Sequence, residues 1–222
     1  MPKVTKEYVD EKKSEIVDAA IRVCRSKPAY AVTIRDVVKE CGISQGGMYH
    51  YFSCIEEIFG EIVNRAYSEM NFTADADRIF ESDKQPSEII ADSLTLLGEM
   101  MDSFYDRFGS LIFELEMIYL KTPEGAKKMR EMFTANEDAQ TFIFKVNSYV
   151  ETQIANGHFK NNLPRGYISI FLLASLEGAK KISLISHSNP GALQEFGLLD
   201  TECRSVKDMM RVTAEIVVRL LG

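Results

Sequence analysis

The sequence predicts an all-α protein, and three observations predict it. Apolar residues recur at i, i+3, i+4 and i+7 through most of the 222 residues. No run alternates with the period of two that a half-buried strand requires. Proline and glycine mark the ends of several of the striped segments, where helices stop and start. The chain divides into an N-terminal three-helix domain at 1–54 and a larger helical domain at 55–222, and no internal repeat is present.

The first helix is expected from about Tyr8 to Lys27, with a stripe at Ile16, Ala20, Val23 and Cys24, and Pro28 stops it. In the second, Ile34, Val37, Val38 and Cys41 form the stripe. Thr33 is a good N-cap, and Asp36 completes an imperfect capping box in which Glu or Gln is the usual partner. Gly42 follows the last apolar position, where a left-handed residue commonly ends a helix. The third helix is expected from Ser44 to Phe52, with Met48 and Phe52 on its inner face. Gly46, Gly47, Tyr49 and His50 occupy the opposite arc.

Two short helices joined by a glycine turn have the spacing of a helix-turn-helix, whose second helix lies in the major groove of DNA. The outer arc agrees with that use. Two glycines in a helix interior cost roughly 1 kcal/mol each relative to alanine, which is tolerated where a phosphate backbone must come close. The alternative is that the helix begins only after Gly47. Tyr49, His50 and Tyr51 can donate to phosphates, and Gln45 can reach a base edge. Half-buried packing is the other role open to these aromatic rings.

Thr33, Ile34, Val37, Gly42, Ser44, Gly46, Tyr49, Tyr51 and Phe52 together resemble the N-terminal signature of the TetR (tetracycline-repressor) family of transcriptional regulators. The preceding stripe at Ile16, Ala19, Ala20 and Val23 matches the helix that usually comes before it. The resemblance implies an all-helical homodimer with an N-terminal DNA-binding domain and a C-terminal domain that binds a small molecule. It also implies DNA contacts at Thr33, Ser44, Gln45, Gly46, Gly47, Tyr49, His50 and Tyr51. Two positions depart from the pattern. Gly47 stands where the family usually has Thr, Ser or Ala, and Ile55 stands where a lysine commonly meets a phosphate. One lysine–phosphate contact adds about one unit of salt slope, so weaker and less salt-sensitive DNA binding is expected.

A fourth helix is expected from about Ile55 to Phe80, carrying Ile58, Ile62, Ala66 and Met70, as a continuous connector between the domains. SDKQPSE at 82–88 breaks the pattern, with Pro86 suited to a first helical turn. A long stripe follows from Ile90 to Phe108, then a joint at Gly109 and Ser110 and the apolar segment LIFELEMIYL. Thr122 and Pro123 open a helix expected to run unbroken through Phe142 and Val150 to a C-cap at Asn156 and Gly157. Residues 158–163 connect to an apolar helix that starts at Pro164 and ends near Ser188-Asn189-Pro190-Gly191. A last helix is expected from Thr201 to Leu221.

Phe104, Phe108, Phe113, Met117, Phe142 and Phe171 could line an apolar pocket of the kind the resemblance implies, although each also suits ordinary core. Glu114 lies in an otherwise apolar helix, where an unpaired carboxylate is costly. It is expected to face the pocket and to favour a cationic or hydrogen-bond-donating ligand. The last two helices are expected to form the homodimer, since Ala174, Gly178 and Ala179 permit close approach and their apolar faces exceed what one neighbour covers.

The net charge is −7, but 1–55 carries +2 and the remainder −9, which places any DNA contact at the N-terminal end. Lys3, Lys6, Lys12 and Lys13 form a loose basic arm there. Cys24, Cys41, Cys54 and Cys203 lack metal-ligand spacing; Cys24 and Cys41 read as small hydrophobes, and Cys54 as a conceivable redox sensor. His50, His158 and His187 are far apart in sequence. With no signal peptide and no membrane span, a cytoplasmic location is the default. No cofactor or metal is expected. The competing classes are an all-helical enzyme and a protein-interaction module, but no nucleophile–base pair or phosphate-cradling loop supports the first. The second has no need of the glycine and tyrosine arc. Repression and activation are not separable at this level.

Overall fold

A computed structural model describes residues 5–70, 73–134, 137–160, 164–189, 191–195, 197 and 205–222. In chain order they form α1 (Lys6–Cys24), a 3₁₀ turn (Ala29–Ala31), α2 (Ile34–Cys41), α3 (Gln45–Met48) and α4 (Ile55–Ser68). There follow α5 (Thr73–Phe80), α6 (Pro86–Phe108), α7 (Leu111–Tyr119), α8 (Pro123–Thr134), α9 (Glu137–Ala155), α10 (Arg165–Ser188), α11 (Ala192–Glu195) and α12 (Val206–Leu221). No strand occurs among the described residues, so the fold is all-α.

The chain forms two compact units, and neither is a continuous segment. One takes Met1–Glu69 together with Phe108–Asn136, and the other takes Met70–Arg107 and Glu137–Gly222. Residue 54 lies inside the first unit, where α4 packs on α1, α7 on the 3₁₀ turn and α4, and α8 on α4 and α7. Its core is Ile16, Met48, Ile58, Ile62, Ile112 and Leu115, all nearly inaccessible to solvent. Gly125 lets α8 come close to α7. A Cβ there would meet the Tyr119 carbonyl oxygen at 2.1 Å, so any side chain would force the helices apart.

In the second unit, Met210, Ala214, Val217 and Leu221 of α12 form a buried stripe, and α12 packs against α10. The start of α12 is fixed on α6 by Asp102, whose carboxylate accepts from the Val206 and Lys207 N–H groups at 2.8 and 2.9 Å. Gly98 permits that approach, since a Cβ at this site would lie 2.5 Å from the Lys207 backbone.

Two expected spans are corrected. The connector after Ile55 is not one helix: α4 ends at Ser68 and α5 begins at Thr73. The Ser68 hydroxyl donates back to the Arg65 carbonyl at 2.9 Å, and Ser68, Asn71 and Thr73 all offer the backbone alternatives to helix. A stripe that stays in phase across a break looks unbroken in sequence. The helix expected after Pro123 is described as α8 to Thr134 and as α9 from Glu137 to Ala155, and residues 135 and 136 lie outside the described residues. The last helix starts at Val206, where the Ser205 hydroxyl caps the Asp208 N–H at 3.0 Å; Cys203 and the expected start at Thr201 lie outside the described residues.

Candidate nucleic-acid interface

The reading head is assembled from caps and a buried seam. The Thr33–Asp36 capping box forms: the Thr33 hydroxyl accepts from the Asp36 N–H, and Asp36 Oδ2 accepts from the Thr33 N–H at 2.8 Å. Lys27 Nζ donates to the same oxygen at 2.7 Å. The Lys27 ammonium and the Thr33 donors hold the Asp36 carboxyl down at about 2. Gly42 ends α2 at φ +73°, in the left-handed region expected of it. Ser44 then caps the next helix, its hydroxyl accepting from the Gly47 N–H at 3.0 Å. Regular α geometry stops at Met48, and the chain continues to Phe52 through turns closed on the Gly47 and Met48 carbonyls.

Met48 and Phe52 are buried, as the inner face requires. On the other side Ser44, Gln45, Gly46, Tyr49 and His50 are exposed, with Gly47 and Tyr51 half-buried. A Cβ on Gly46 would meet nothing within 4 Å. The protein itself therefore does not require glycine at that position. Thr33 is exposed, but its hydroxyl serves the capping box.

Among the lysines of the basic arm, Lys12 pairs with Glu15 at 2.6 Å, whereas Lys13 Nζ lies 5.5 Å from the Phe52 ring centre and sets a cation beside the end of the reading segment. Lys3 lies outside the described residues. At the start of α4, Glu57 reaches back to accept from the Ser53 N–H and hydroxyl, both at 2.7 Å. Those two donors hold the Glu57 carboxyl below its usual range. With Ile55 in place of lysine, this helix end offers carboxylates rather than a cation.

Sequence reasoning missed the tie between α7 and the head. The Ala29 N–H donates to Glu114 Oε2 at 2.6 Å, the Tyr67 hydroxyl to Glu116 Oε1 at 3.1 Å, and the Tyr119 hydroxyl to the Glu56 carbonyl at 3.4 Å. These bonds bind α7 to the 3₁₀ turn before α2 and to both ends of α4. The one signal in the sequence was two carboxylates in an apolar helix, and Glu114 satisfies its charge with Ala29 and the Ser110 hydroxyl rather than with a cation.

Phe113, Glu114 and Met117 border an open cavity of about 520 Å³ in the first unit, with Tyr30, Ile118, Leu120 and Lys121. Phe104, Phe108 and Phe142 are buried, and Phe171 is half-buried on α10. The second unit contains a different cavity of about 410 Å³, lined by Ile90 and Leu94 of α6, Phe144, Val146, Asn147, Ser148, Val150, Glu151 and Ile154 of α9, Ile168, Ser169 and Leu172 of α10, and Val217 and Leu221 of α12. That volume lies in the range of roughly 300–1,000 Å³ of small-molecule sites.

Cys24 is buried, and its apolar surroundings push the thiol up to about 12, which leaves it unreactive. Among the described residues no cluster of His, Cys, Asp and Glu could hold a metal ion, and no helix is long and apolar enough to cross a membrane.

Residues 16–62 match the sequence profile of the family described as bacterial regulatory proteins, tetR family. An uncharacterised HTH-type transcriptional regulator of Bacillus subtilis, YfiR, is 29% identical over 80% of this chain and 82% of its own length. Among solved structures, the TetR-family regulator PfmR of Thermus thermophilus superposes with a TM-score of 0.55 at 16% identity, covering 92% of this chain and 94% of that one. Salmonella enterica GusR gives 0.54 at 14% identity, covering 97% and 98%. With the capped reading head, the profile match and the shared fold in agreement, residues 16–62 are a TetR-family helix-turn-helix domain, and the chain has the fold of TetR-family transcriptional regulators.

Proposed function

We propose that this regulator is a ligand-responsive repressor that binds a pseudo-palindromic operator as a homodimer in the cytoplasm and is released by a small, mostly apolar molecule. The observation that carries the reading is the exposed arc of Ser44, Gln45, Gly46, Tyr49 and His50 on a seam sealed by Met48 and Phe52. Gln45, at the start of α3, is positioned for a base edge, while Ser44, Tyr49 and His50, with Tyr51 and Lys13 beside them, serve phosphates. Thr33 and Gly47 contribute by holding the caps.

The dimer would form through α10 and α12. Tyr167, Ile170 and Leu173 of α10 and Val212 and Ile216 of α12 are large apolar side chains left exposed in a single chain. Such a surface marks an interaction site.

The effector would occupy the cavity of the second unit. Helix α6 supplies Ile90 and Leu94 to its wall and leads through Gly109 into α7, which carries the three bonds to the head. A ligand that displaces α6 acts on α7 along the covalent chain. By linkage, operator and ligand then weaken each other's binding by the same factor.

The test is retention on duplex DNA as a function of salt, with an operator selected from random sequence. Specific binding whose affinity falls with salt is expected, with a slope smaller by about one unit per missing lysine contact. Failure to retain duplex DNA at low salt, or a monomeric mass at micromolar concentration, would sink the scheme.

A further inference from the structure

We propose that the DNA interface extends beyond the reading head onto α8, where Lys128 meets the phosphate backbone beside the start of α4. This rests on the proposed operator binding by the head. Helix α8 belongs to the same compact unit as the head and packs on α4 and α7. Lys128 is exposed, and its Nζ stands 5.8 Å from the ring centre of Tyr119 at the end of α7. Tyr119 is itself buried, and its hydroxyl donates to the Glu56 carbonyl in the first turn of α4. That turn follows Phe52, the last residue of the reading segment, after only Ser53 and Cys54. From α1, Lys13 Nζ lies 5.5 Å from the Phe52 ring centre. Two lysines from different elements therefore border one short stretch. Both act on Glu57: after the two Ser53 donors, the Lys128 and Lys13 ammoniums also hold its carboxyl below the usual range. Neither lysine makes an ion pair among the described residues, whereas Lys12 is held by Glu15 and Lys127 faces Glu131. Glu57 spends its oxygens on the Ser53 N–H and hydroxyl. An ammonium whose stem lies along an aromatic ring keeps its head in water, where a phosphate can take it. A cation thus reaches the end of α4 where Ile55 supplies none, from a helix far along the chain. Such a contact positions the protein on the duplex without reading sequence.

The test is the salt dependence of DNA affinity, followed by fluorescence anisotropy with the full-length protein and a duplex selected from random sequence, between about 50 and 200 mM salt. Lys128→Gln is expected to flatten the log–log slope by about one unit. It should weaken binding roughly five- to ten-fold at about 0.1 M salt, by the same factor on an unrelated duplex. Lys128→Arg, which keeps the charge, should hold the parent slope. Lys127→Gln, the neighbouring residue that faces Glu131, should change it by less than about half a unit. A slope that Lys128→Gln leaves unchanged, even with weaker binding, overturns the inference and assigns the loss to the packing around Tyr119. Equal flattening by Lys128→Arg or by Lys127→Gln overturns it as well, since the effect would then follow shape or net charge rather than a cation at this place. A parent that retains no duplex at low salt removes the operator reading and this inference together. A parent that binds with a steep slope untouched by Lys128→Gln removes this inference alone.

Discussion

The two compact units differ in how their short elements end and in where they leave apolar surface. In the first, several short elements are closed by a named side chain: Thr33 and Asp36 at α2, Ser44 at α3, Glu57 before α4 and Glu114 at the 3₁₀ turn. What it leaves exposed on the reading segment is polar or glycine. The second unit leaves Tyr167, Ile170, Leu173, Val212 and Ile216 uncovered and holds a cavity within its helices. On the reading segment the first unit is finished as a single chain, although Tyr30, Phe113 and Met117 border an open cavity elsewhere in it; the exposed apolar face of α10 and α12 is the unfinished side.

The largest expected effect attacks that contrast from the unfinished side. Ile170→Asp is expected to give a monomer by light scattering and to weaken operator binding about a hundred-fold or more, since an unpaired charge would be buried at the dimer contact. Because Ile170 is exposed in the single chain, the monomer should unfold within about 0.5 kcal/mol of the parent. A dimer that persists would show that α10 is not the contact.

Met48→Ala tests the finished side. Met48 is fully buried at the heart of the head, so denaturant titration is expected to show a loss of about 2–5 kcal/mol. Next, Glu114→Ala leaves the Ala29 N–H without its partner and should cost about 1–3 kcal/mol. If Glu114 instead serves a ligand, that variant would lose ligand affinity while keeping its stability.

Gly46→Ala separates fold from function at one atom. Nothing in the protein opposes the added methyl, and stability should rise by up to about 1 kcal/mol. Operator affinity should fall, and an unchanged affinity in a mobility shift would mean that DNA does not approach this backbone.

The smallest effect is a pH dependence. The folded-state Asp36 carboxyl lies at about 2, below its ordinary value, so its contribution is fully present above about 4 and is lost as pH falls through about 2. Circular dichroism across that window should show Asp36→Asn losing the acid-dependent step that the parent retains.

Much of the head was legible because its signals are local. A cap acts over three residues, and a left-handed glycine acts on its own turn, so Thr33, Asp36, Gly42 and Ser44 could be placed by counting. The helix break after Ser68 was not legible, since periodicity reports which face is buried and not whether the backbone is continuous.

The sequence by itself determined the all-α class, the capped helix-turn-helix and its exposed arc, because these follow from the chemistry of residues a few positions apart. Only the tertiary structure decided where each carboxylate sits. Glu114 is 85 positions from the amide it satisfies. Glu151 borders a cavity whose other walls come from α6, α10 and α12. Those neighbours are set by how distant helices pack, and no spacing along the chain encodes them.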